Sequence, residues 1–92
     1  MNGRDIRQEL RSYITENFLY ARPDYVLSDE DDLLASGIID SMGVTEVIAF
    51  LEDRFGLTVA DADITEENFG SVQAITTYAG KRLDQGRELR TA

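Results

Sequence analysis

Ser41 is the side chain of this sequence whose setting most clearly suggests chemistry. It follows Asp40 and stands at the start of a stretch with helical apolar spacing, which places its hydroxyl in the first turn of a predicted helix. Unpaired N–H groups and partial positive charge at a helix N-terminus would favour a phosphate ester on that oxygen. The simpler interpretation of these few residues is that Asp40 or Ser41 caps the helix, which is worth about 1 kcal/mol.

Most enzyme chemistry is excluded by the residues that the chain lacks, and a pair of carboxylates acting as general acid and base would need a pocket that so small a bundle is not expected to offer. There is no His and no Cys, so a Ser-His-Asp triad, a Cys-His pair, a zinc finger and a disulfide framework cannot be built. The residues around Ser41 do not form a Gly-x-Ser-x-Gly elbow, and no glycine-rich phosphate loop is present. No catalytic residue is therefore predicted, and the chain is not expected to be an enzyme.

Two acidic stretches raise the question of a metal site. The stretch that begins at Asp61 starts like a calcium-binding loop, but Glu66 stands where that loop needs glycine and Val72 where it needs a bidentate acid. Residues 29–32 are all acidic and leave two interpretations open, weak binding of divalent cations or a solvated acidic loop, of which we favour the second. No metal ligand is predicted.

The charge of the chain indicates its kind of partner. The 92 residues fit one small domain and carry 18 acidic and 9 basic side chains, a net charge of −9. This balance argues against nucleic acid and favours basic protein partners reached by electrostatic steering. Residues 24–67 hold 13 acidic residues and one basic residue, so the interaction surface is expected in the middle of the chain.

Membrane insertion and export are not expected. No apolar run approaches the roughly 18 to 20 residues that span a bilayer. The N-terminal residues lack the apolar core of a signal peptide. We therefore expect a soluble, cytoplasmic monomer.

Four helical stretches are predicted from apolar spacing, and the one that begins near Ser41 is the clearest. Its apolar residues fall at offsets of 0, 3, 4, 7 and 11, and Gly56 follows as a stop. The first stretch has the same period and should end before Pro23, because the residue before a proline is pushed out of the helical region. The inward residues of these two helices are predicted to be Ile6, Leu10, Tyr13, Ile14, Phe18, Val44, Val47, Ile48, Leu51 and Phe55.

A long connection, about residues 22–40, joins these two helices. Its apolar residues indicate that it is pinned to the core, with one short turn near residues 31–36, and Gly37 can supply a positive φ angle where it bends. The apolar residues of the connection are Tyr25, Val26, Leu27, Leu33, Leu34, Ile38 and Ile39.

The remaining sequence completes a small bundle. A short helix is predicted after Thr65, with Phe69 turned inward, and Ser71 caps a fourth helix after Gly70. Residues 57–59 alternate like a strand but are too few to form a sheet. We predict an all-α four-helix bundle (three long helices and one short) with a long loop between helices 1 and 2; residues 1–83 form the domain, and residues 84–92 a frayed tail. The inner face of the fourth helix is predicted to hold Val72, Ile75, Ala79 and Leu83, with Tyr78 beside them.

A longer pattern around Ser41 resembles the acyl carrier protein family. The resemblance covers about residues 6–83 and includes the anionic middle, the order of the helices, and the spacing from the serine to a closing Phe-Gly pair. It is carried by Asp32-Leu-Leu-Ala-Ser-Gly37-Ile-Ile-Asp-Ser41-Met42, Glu46, Leu51-Glu52, Phe55-Gly56, residues 61–64, and Glu67-Asn68-Phe69 through Val72.

The resemblance implies a mechanism. A phosphopantetheinyl transferase would move 4′-phosphopantetheine from coenzyme A onto Ser41 Oγ, and the base and the magnesium would belong to the transferase. The arm ends in a thiol, on which an acyl or aminoacyl group is carried as a thioester. The chain would be a non-catalytic carrier, loaded by a separate acyl- or aminoacyl-adenylating ligase and serving downstream acyl-transferring enzymes.

The resemblance also assigns roles to residues beside the serine. Asp40 would contact the transferase in addition to capping the helix. Met42 is expected to be a partly exposed apolar contact, and Glu46 either contacts basic partners or serves solubility. Thr45 and Ala49 stand where carriers often have larger apolar residues, and they complete the predicted partner surface.

The cargo and one alternative stay open at this point. Gly43 gives the sequence Asp-Ser-Met-Gly, which is similar to D-alanyl carriers and other free-standing aminoacyl carriers, whereas fatty-acid carriers usually read Asp-Ser-Leu. The apolar residues of the second helix are expected to form the core with Ile64, Phe69, Val72 and Ile75 and to line a slot that opens for an acyl chain. The alternative is an acidic helical adaptor that binds a basic protein without a prosthetic group.

Overall fold

The all-α bundle predicted from the sequence is confirmed. The structure, a computed structural model, describes the backbone of residues 3–91 and the side chains of residues 5–84. Within residues 3–91 no strand forms, and residues 57–59 have no regular secondary structure. The elements in chain order are α1 (Gly3–Phe18), α2 (Ser41–Phe55), a single 3-10 turn (Asp61–Asp63), α3 (Glu66–Phe69) and α4 (Val72–Thr91).

The inner face of α1 consists of three side chains at intervals of four residues. Ile6, Leu10 and Ile14 are fully buried, as the helical period predicts for one face. Tyr13 and Phe18 lie at the edge of the core and are half-buried. The helix therefore contributes both to the core and to a partly exposed aromatic surface.

Most apolar residues of the loop between α1 and α2 are buried, as predicted. Tyr25 packs against the core from a half-buried position. The prediction is wrong for Val26, which is 85% exposed, because its neighbours Tyr25 and Leu27 take the inward positions. It is also wrong for Leu34, which is 42% exposed. The buried residues of the loop are Leu27, Leu33, Ile38 and Ile39.

Backbone hydrogen bonds fasten this loop to the corner between α3 and α4. Leu33 N–H donates to Gly70 O at 2.8 Å, and Gln73 N–H donates to Asp29 O at 2.9 Å. Since each bond joins residues distant in sequence, the loop is fixed against the bundle at two points.

The loop ends in the turn that the sequence predicts. The turn occupies residues 33–37, and Gly37 has a φ of 73°, a left-handed conformation that glycine adopts without steric cost. Ile39 N–H then donates to Leu33 O at 3.0 Å, which closes the turn immediately before α2.

One carboxylate joins α1 to the loop. Asp29 accepts from Arg11 Nη1 at 2.6 Å and lies 3.3 Å from Arg7 Nε. A second nitrogen of each guanidinium group is also used, because Arg11 Nη2 donates to Leu27 O at 2.8 Å and Arg7 Nη2 donates to Gln73 Oε1 at 3.0 Å. These half-exposed contacts bring the loop, α1 and α4 together.

The neighbouring acids also serve the folding of the loop. Asp31 Oδ2 accepts from Tyr25 O–H at 3.1 Å and from Ser28 N–H at 2.9 Å. Asp32 Oδ1 accepts from Ala35 N–H at 2.9 Å. Within the residues that the structure describes, no group of three or more acidic side chains is arranged to hold a metal ion. Asp29, Asp31 and Asp32 act as turn and ion-pair partners.

Side-chain caps start α3 and α4 where the sequence predicts. Thr65 Oγ1 accepts from Asn68 N–H at 3.2 Å, and Ser71 Oγ accepts from Ala74 N–H at 3.1 Å. The single turn of α3 buries Phe69. The fully buried residues of α4 are Val72, Ile75 and Ala79.

A hydrogen bond and a ring contact hold the segment before α3 against α4. Tyr78 O–H donates to Asp63 Oδ2 at 2.8 Å, and the Tyr78 and Phe69 rings lie 5.2 Å apart between centroids. Asn68 Nδ2 also donates to Asp63 O at 2.9 Å. Burial, this hydrogen bond and the charge of Asp63 raise the pKa of the Tyr78 phenol. The short α3 is thus held mainly by α4.

The fourth helix runs past Leu83, the last apolar residue predicted for its inner face. Its backbone is helical through Thr91, since residues 84–91 hold no proline and several good helix formers. Side chains beyond residue 84 lie outside the described residues, and the fraying of residues 84–92 stays a prediction. None of the helices in the described part of the chain has the length and apolarity needed to traverse a bilayer.

The ion pairs of Asp29 with Arg7 and Arg11 predict an effect on stability. We expect Asp29→Asn to lower the free energy of unfolding by about 1 kcal/mol, because it weakens two charge-assisted contacts that are half-exposed. The adjacent and exposed Glu30→Gln is the matched control. Urea unfolding measures both, and the difference should shrink at high salt. Equal losses for the two variants would show that the ion pairs of Asp29 contribute nothing to stability.

The raised pKa of Tyr78 predicts that the stability of the fold depends on pH in the alkaline range. Because its pKa is higher in the folded chain than its ordinary value of 10.0, its contribution is complete below pH 10 and is lost as the pH rises through the folded pKa. Tyr78→Phe should cost about 1 kcal/mol at pH 7 and should flatten the loss of stability above pH 10. Tyr20→Phe, at an exposed position, is the control for urea unfolding over this pH range. An unchanged alkaline profile in Tyr78→Phe would contradict the assignment.

Candidate functional site

Asp40 fixes the position at which α2 begins. Its backbone is extended, with φ of −110° and ψ of −172°, and its Oδ1 accepts from Gly43 N–H at 2.8 Å. Its carbonyl accepts the first helical hydrogen bond, from Val44 N–H at 3.0 Å. Of the two caps considered from the sequence, Asp40 is the one used. Ser41 is consequently the first residue of the helix.

The Ser41 hydroxyl is free and exposed. Its side chain lies on the surface, and within the described residues its Oγ makes no hydrogen bond. The N–H groups of the first helical residues have no partner within the helix, and only that of Gly43 is taken by Asp40. Partial positive charge at this end of α2 stabilises an anion. The setting therefore fits a phosphate ester on Ser41.

Two grooves meet at Ser41. The α1-side groove, about 550 Å³, runs from Ser41 towards the end of α1. The α3-side groove, about 370 Å³, lies between α2 and α3. Ser41 and Leu34 belong to both, so the half-exposed Leu34 stands between them. The α1-side groove is lined by residues 37–43 with Phe18, Leu34 and Glu46, and the α3-side groove by Leu34, Ser41, Val44, Thr45, Ile48, Ile64, Thr65, Glu66 and Phe69.

The α3-side groove corrects the predicted core. Ile64 was expected inside but is 42% exposed, and Val44 and Ile48 are half-buried. The reason is the length of α3, because a helix of four residues cannot cover the side of α2 that it faces. Val47 and Leu51 are buried as predicted. An open groove lies beside these residues, and a slot that opens for an acyl chain stays a prediction.

The predicted partner surface lies along one exposed face of α2. Met42 is 75% exposed, and Thr45, Glu46 and Ala49 follow at helical spacing, all exposed. Glu46 also contributes to packing through its backbone, because Tyr13 O–H donates to its carbonyl at 3.3 Å. Burial and the charge of Glu46 raise the pKa of the Tyr13 phenol. The structure brings these four side chains together next to Ser41.

Gly43 has a packing role that the sequence does not reveal. The residue is buried, and a Cβ at this position would lie 2.9 Å from Ile39 Cβ and 3.2 Å from Phe18 Cε1. The glycine therefore lets the first turn of α2 approach α1 and the end of the loop. From the sequence Gly43 was interpreted only as a mark of cargo class; nothing in its local pattern indicates the nearness of Phe18.

The packing of Gly43 predicts a destabilising substitution. Gly43→Ala should lower the free energy of unfolding by about 1–3 kcal/mol, because the closest neighbour, Ile39 Cβ, is bonded directly to the backbone and cannot rotate away. Gly80→Ala is the matched control: nothing lies within 4 Å of its added Cβ, and alanine should stabilise α4 by about 0.5–1 kcal/mol. Urea unfolding measures both changes. A gain in stability for both variants would contradict the close approach.

Comparisons with known proteins show the family of the chain. The family described as a phosphopantetheine attachment site matches residues 8–79. A D-alanyl carrier protein of Streptococcus mutans serotype c is 31% identical over 88 residues, which are 96% of this chain and 99% of the relative. A D-alanyl carrier protein of Streptococcus suis is 32% identical over 71 residues, 77% of this chain and 86% of the relative.

These matches decide between the two classes of function considered from the sequence. The family match covers most of the chain, including all of α2 and the loop before it. A covalently attached 4′-phosphopantetheine, which the family carries, disagrees with an adaptor that has no prosthetic group. The chain belongs to the phosphopantetheine-attachment family and is a carrier protein.

Proposed function

We propose that Ser41 Oγ is the attachment point of 4′-phosphopantetheine and that the chain carries an acyl or aminoacyl group between partner enzymes. The observation that supports this most directly is the exposed hydroxyl at the N-terminus of α2, with no hydrogen bond within the described residues. When bound, the arm supplies a thiol for a thioester-linked cargo. The chain has no cysteine of its own to supply one.

The residues around Ser41 hold the ester and leave the chemistry of attachment to another protein. Asp40 Oδ1 is occupied by Gly43 N–H, so it is poorly placed to take the proton of Ser41. The chain has no histidine that could act instead. A phosphopantetheinyl transferase would therefore supply the base, with coenzyme A as the donor. The helix N-terminus would stabilise the phosphate once it is attached.

An aminoacyl cargo is the class that we favour. The similar proteins are called D-alanyl carrier proteins, and the chain has the sequence Asp-Ser-Met-Gly at residues 40–43. A separate adenylate-forming ligase would load the thiol. Packing against Phe18 and Ile39 is enough to explain the glycine at position 43. The choice of an aminoacyl cargo therefore depends more on the similarity to D-alanyl carrier proteins than on the Asp-Ser-Met-Gly sequence.

Exposed residues of α2 would contact these enzymes. Met42 offers an adaptable apolar side chain and Glu46 a carboxylate, with the smaller Thr45 and Ala49 on the same exposed face. Asp40, at the junction of loop and helix, would add a contact for the transferase. Electrostatic attraction to basic enzyme surfaces would speed association.

Replacement of the serine tests the proposal. After incubation with a promiscuous phosphopantetheinyl transferase and coenzyme A, intact-mass spectrometry should show the added arm on the wild type and no change in Ser41→Ala. Ser36→Ala, an exposed serine in the nearby loop, should be modified like the wild type. Because Asp40 keeps the cap, Ser41→Ala should stay within about 1 kcal/mol of wild-type stability.

The same experiment distinguishes the parts of the proposal. An unmodified but folded wild type would refute the attachment at Ser41. If the arm is attached, loading of the holo chain by an adenylate-forming ligase with amino acids, and not with fatty acids, would support an aminoacyl cargo. The reverse preference would overturn the cargo class and leave the attachment site intact.

A further inference from the structure

The nine basic residues of the chain are eight arginines and one lysine, Lys81. Thiols, imidazoles and deprotonated amines attack a thioester readily, whereas a guanidinium stays protonated and does not. Since the sequence has no cysteine and no histidine, Lys81 is its one side chain with a strong nucleophile for a thioester. This composition bears on the proposed function, because the cargo there is carried as a thioester.

A lysine within reach of the arm would consume the cargo. Its Nε would attack the carbonyl carbon of the thioester, and the C–N bond would form as the C–S bond breaks. The sulfur of the arm would leave as a thiol, with the proton that the amine loses. The product is an amide, which is far less reactive than a thioester. A group tethered by a flexible arm meets its target at an effective concentration on the order of mM, so this loss would compete with delivery.

The fold places Lys81 at the end of α2 that is farther from Ser41. Lys81 is exposed on α4, and its neighbour Arg82 donates from Nε to Thr58 O at 2.9 Å. Thr58 follows the last residue of α2, whereas Ser41 is the first. The 15 residues of α2 extend about 21 Å. An arm attached to Ser41 would therefore have to run the whole length of α2 to approach Lys81.

The two grooves that meet at Ser41 offer only weak nucleophiles. Thr45 and Thr65 supply the other hydroxyl groups of the α3-side groove, and neither groove is lined by a lysine. Thr45 Oγ1 donates to Ser41 O at 3.5 Å, and Thr65 Oγ1 accepts from Asn68 N–H at 3.2 Å. A hydroxyl needs a neighbouring base to attack a carbonyl, and the chain has no histidine to act as one. A thioester in either groove would meet no amine.

Arginines make the ion pairs that stabilise the fold. Arg7 and Arg11 contact Asp29, and Arg54 is paired with Glu9. A guanidinium supplies the positive charge of these contacts and adds no nucleophile. The chain thereby keeps its ion pairs while its one side-chain amine stays at the far end of α2.

We propose that this placement of Lys81 protects the cargo, because the thioester lies beyond the reach of the amine and the carrier does not acylate itself. The inference rests on the proposed attachment of the arm to Ser41. It adds a constraint that attachment alone does not impose, since a lysine at an exposed position near Ser41 would leave the Asp40 cap in place. Lysine should be harmful near Ser41 and harmless near Lys81.

Lysines introduced at chosen positions test the inference. A promiscuous phosphopantetheinyl transferase with acetyl-coenzyme A would attach the acetylated arm, and intact-mass spectrometry at mildly alkaline pH would follow hydrolysis of the thioester. Glu66→Lys places an amine in the α3-side groove, and its thioester should disappear about tenfold faster than that of the wild type. Because acetyl transfer within the chain leaves the mass unchanged, alkylation reports the freed thiol and peptide mapping identifies the acetylated nitrogen.

Matched variants separate reach from charge. Glu66→Arg makes the same change of charge without a nucleophile, and Asp84→Lys adds a lysine at an exposed position three residues from Lys81. Both should keep the lifetime of the wild-type thioester, and so should Lys81→Arg. Thr45→Lys, one turn from Ser41 and exposed, is a second near variant that should lose its thioester as Glu66→Lys does. Circular dichroism checks that each variant is folded.

Several results would overturn the inference. If the thioesters of folded Glu66→Lys and Thr45→Lys live as long as that of the wild type, an amine near Ser41 is harmless and the placement of Lys81 protects nothing. Acetyl on Lys81 of the wild type, or a longer lifetime in Lys81→Arg, would show that the amine is not out of reach. Transfer to Lys81 at a rate that rises with chain concentration would assign it to a second copy and overturn the protection as well.

Failure of the proposed attachment is recognised separately. A folded wild type that gains no mass from acetyl-coenzyme A and the transferase would refute the attachment at Ser41, and this inference with it. A wild type that gains the acetylated arm and then transfers the acetyl group to Lys81 would leave the attachment intact and refute the protection alone.

Discussion

The hydrogen bond from Gly43 N–H to Asp40 Oδ1 is the interaction on which the candidate site depends. It ends the long loop and starts α2 at Ser41, so that the hydroxyl lies at the positive end of the helix. The missing side chain of Gly43 lets this turn pack against Phe18 and Ile39, which anchors the start of the helix to α1. A cap worth about 1 kcal/mol thus decides where the proposed attachment point stands.

The shortness of α3 shapes the surface beside that point. Its four residues bury Phe69 but leave Val44, Ile48 and Ile64 partly exposed, so a groove remains open along α2. The segment before α3 is held to α4 through the hydrogen bond between Tyr78 and Asp63. The groove can therefore stay open without loosening the bundle, because the segment that borders it is held by α4 on its other side.

The acidic side chains in the middle of the chain have different uses that net charge does not reveal. Asp29 pairs with two arginines of α1, and Asp40 caps α2. These carboxylates are engaged within the fold. Glu46 and Asp53 are exposed beside a stacked aromatic pair, and their charges are open to a partner. The exposed acids that can attract a basic partner therefore include these two on α2.

Local sequence determined the helices and their caps, because apolar period, capping side chains and glycine stops act over a few residues. Ser41 became the candidate attachment residue through the longer pattern that resembles the acyl carrier protein family. Local sequence also indicated that Ser41 is exposed at the start of α2. Only the tertiary structure decided that Gly43 is needed for packing, that Ile64 borders a groove, and that Tyr13 of α1 stacks on Phe50 of α2. These features depend on contacts between segments far apart in the chain, and the spacing within a single helix carries no record of which side chain another helix brings against it.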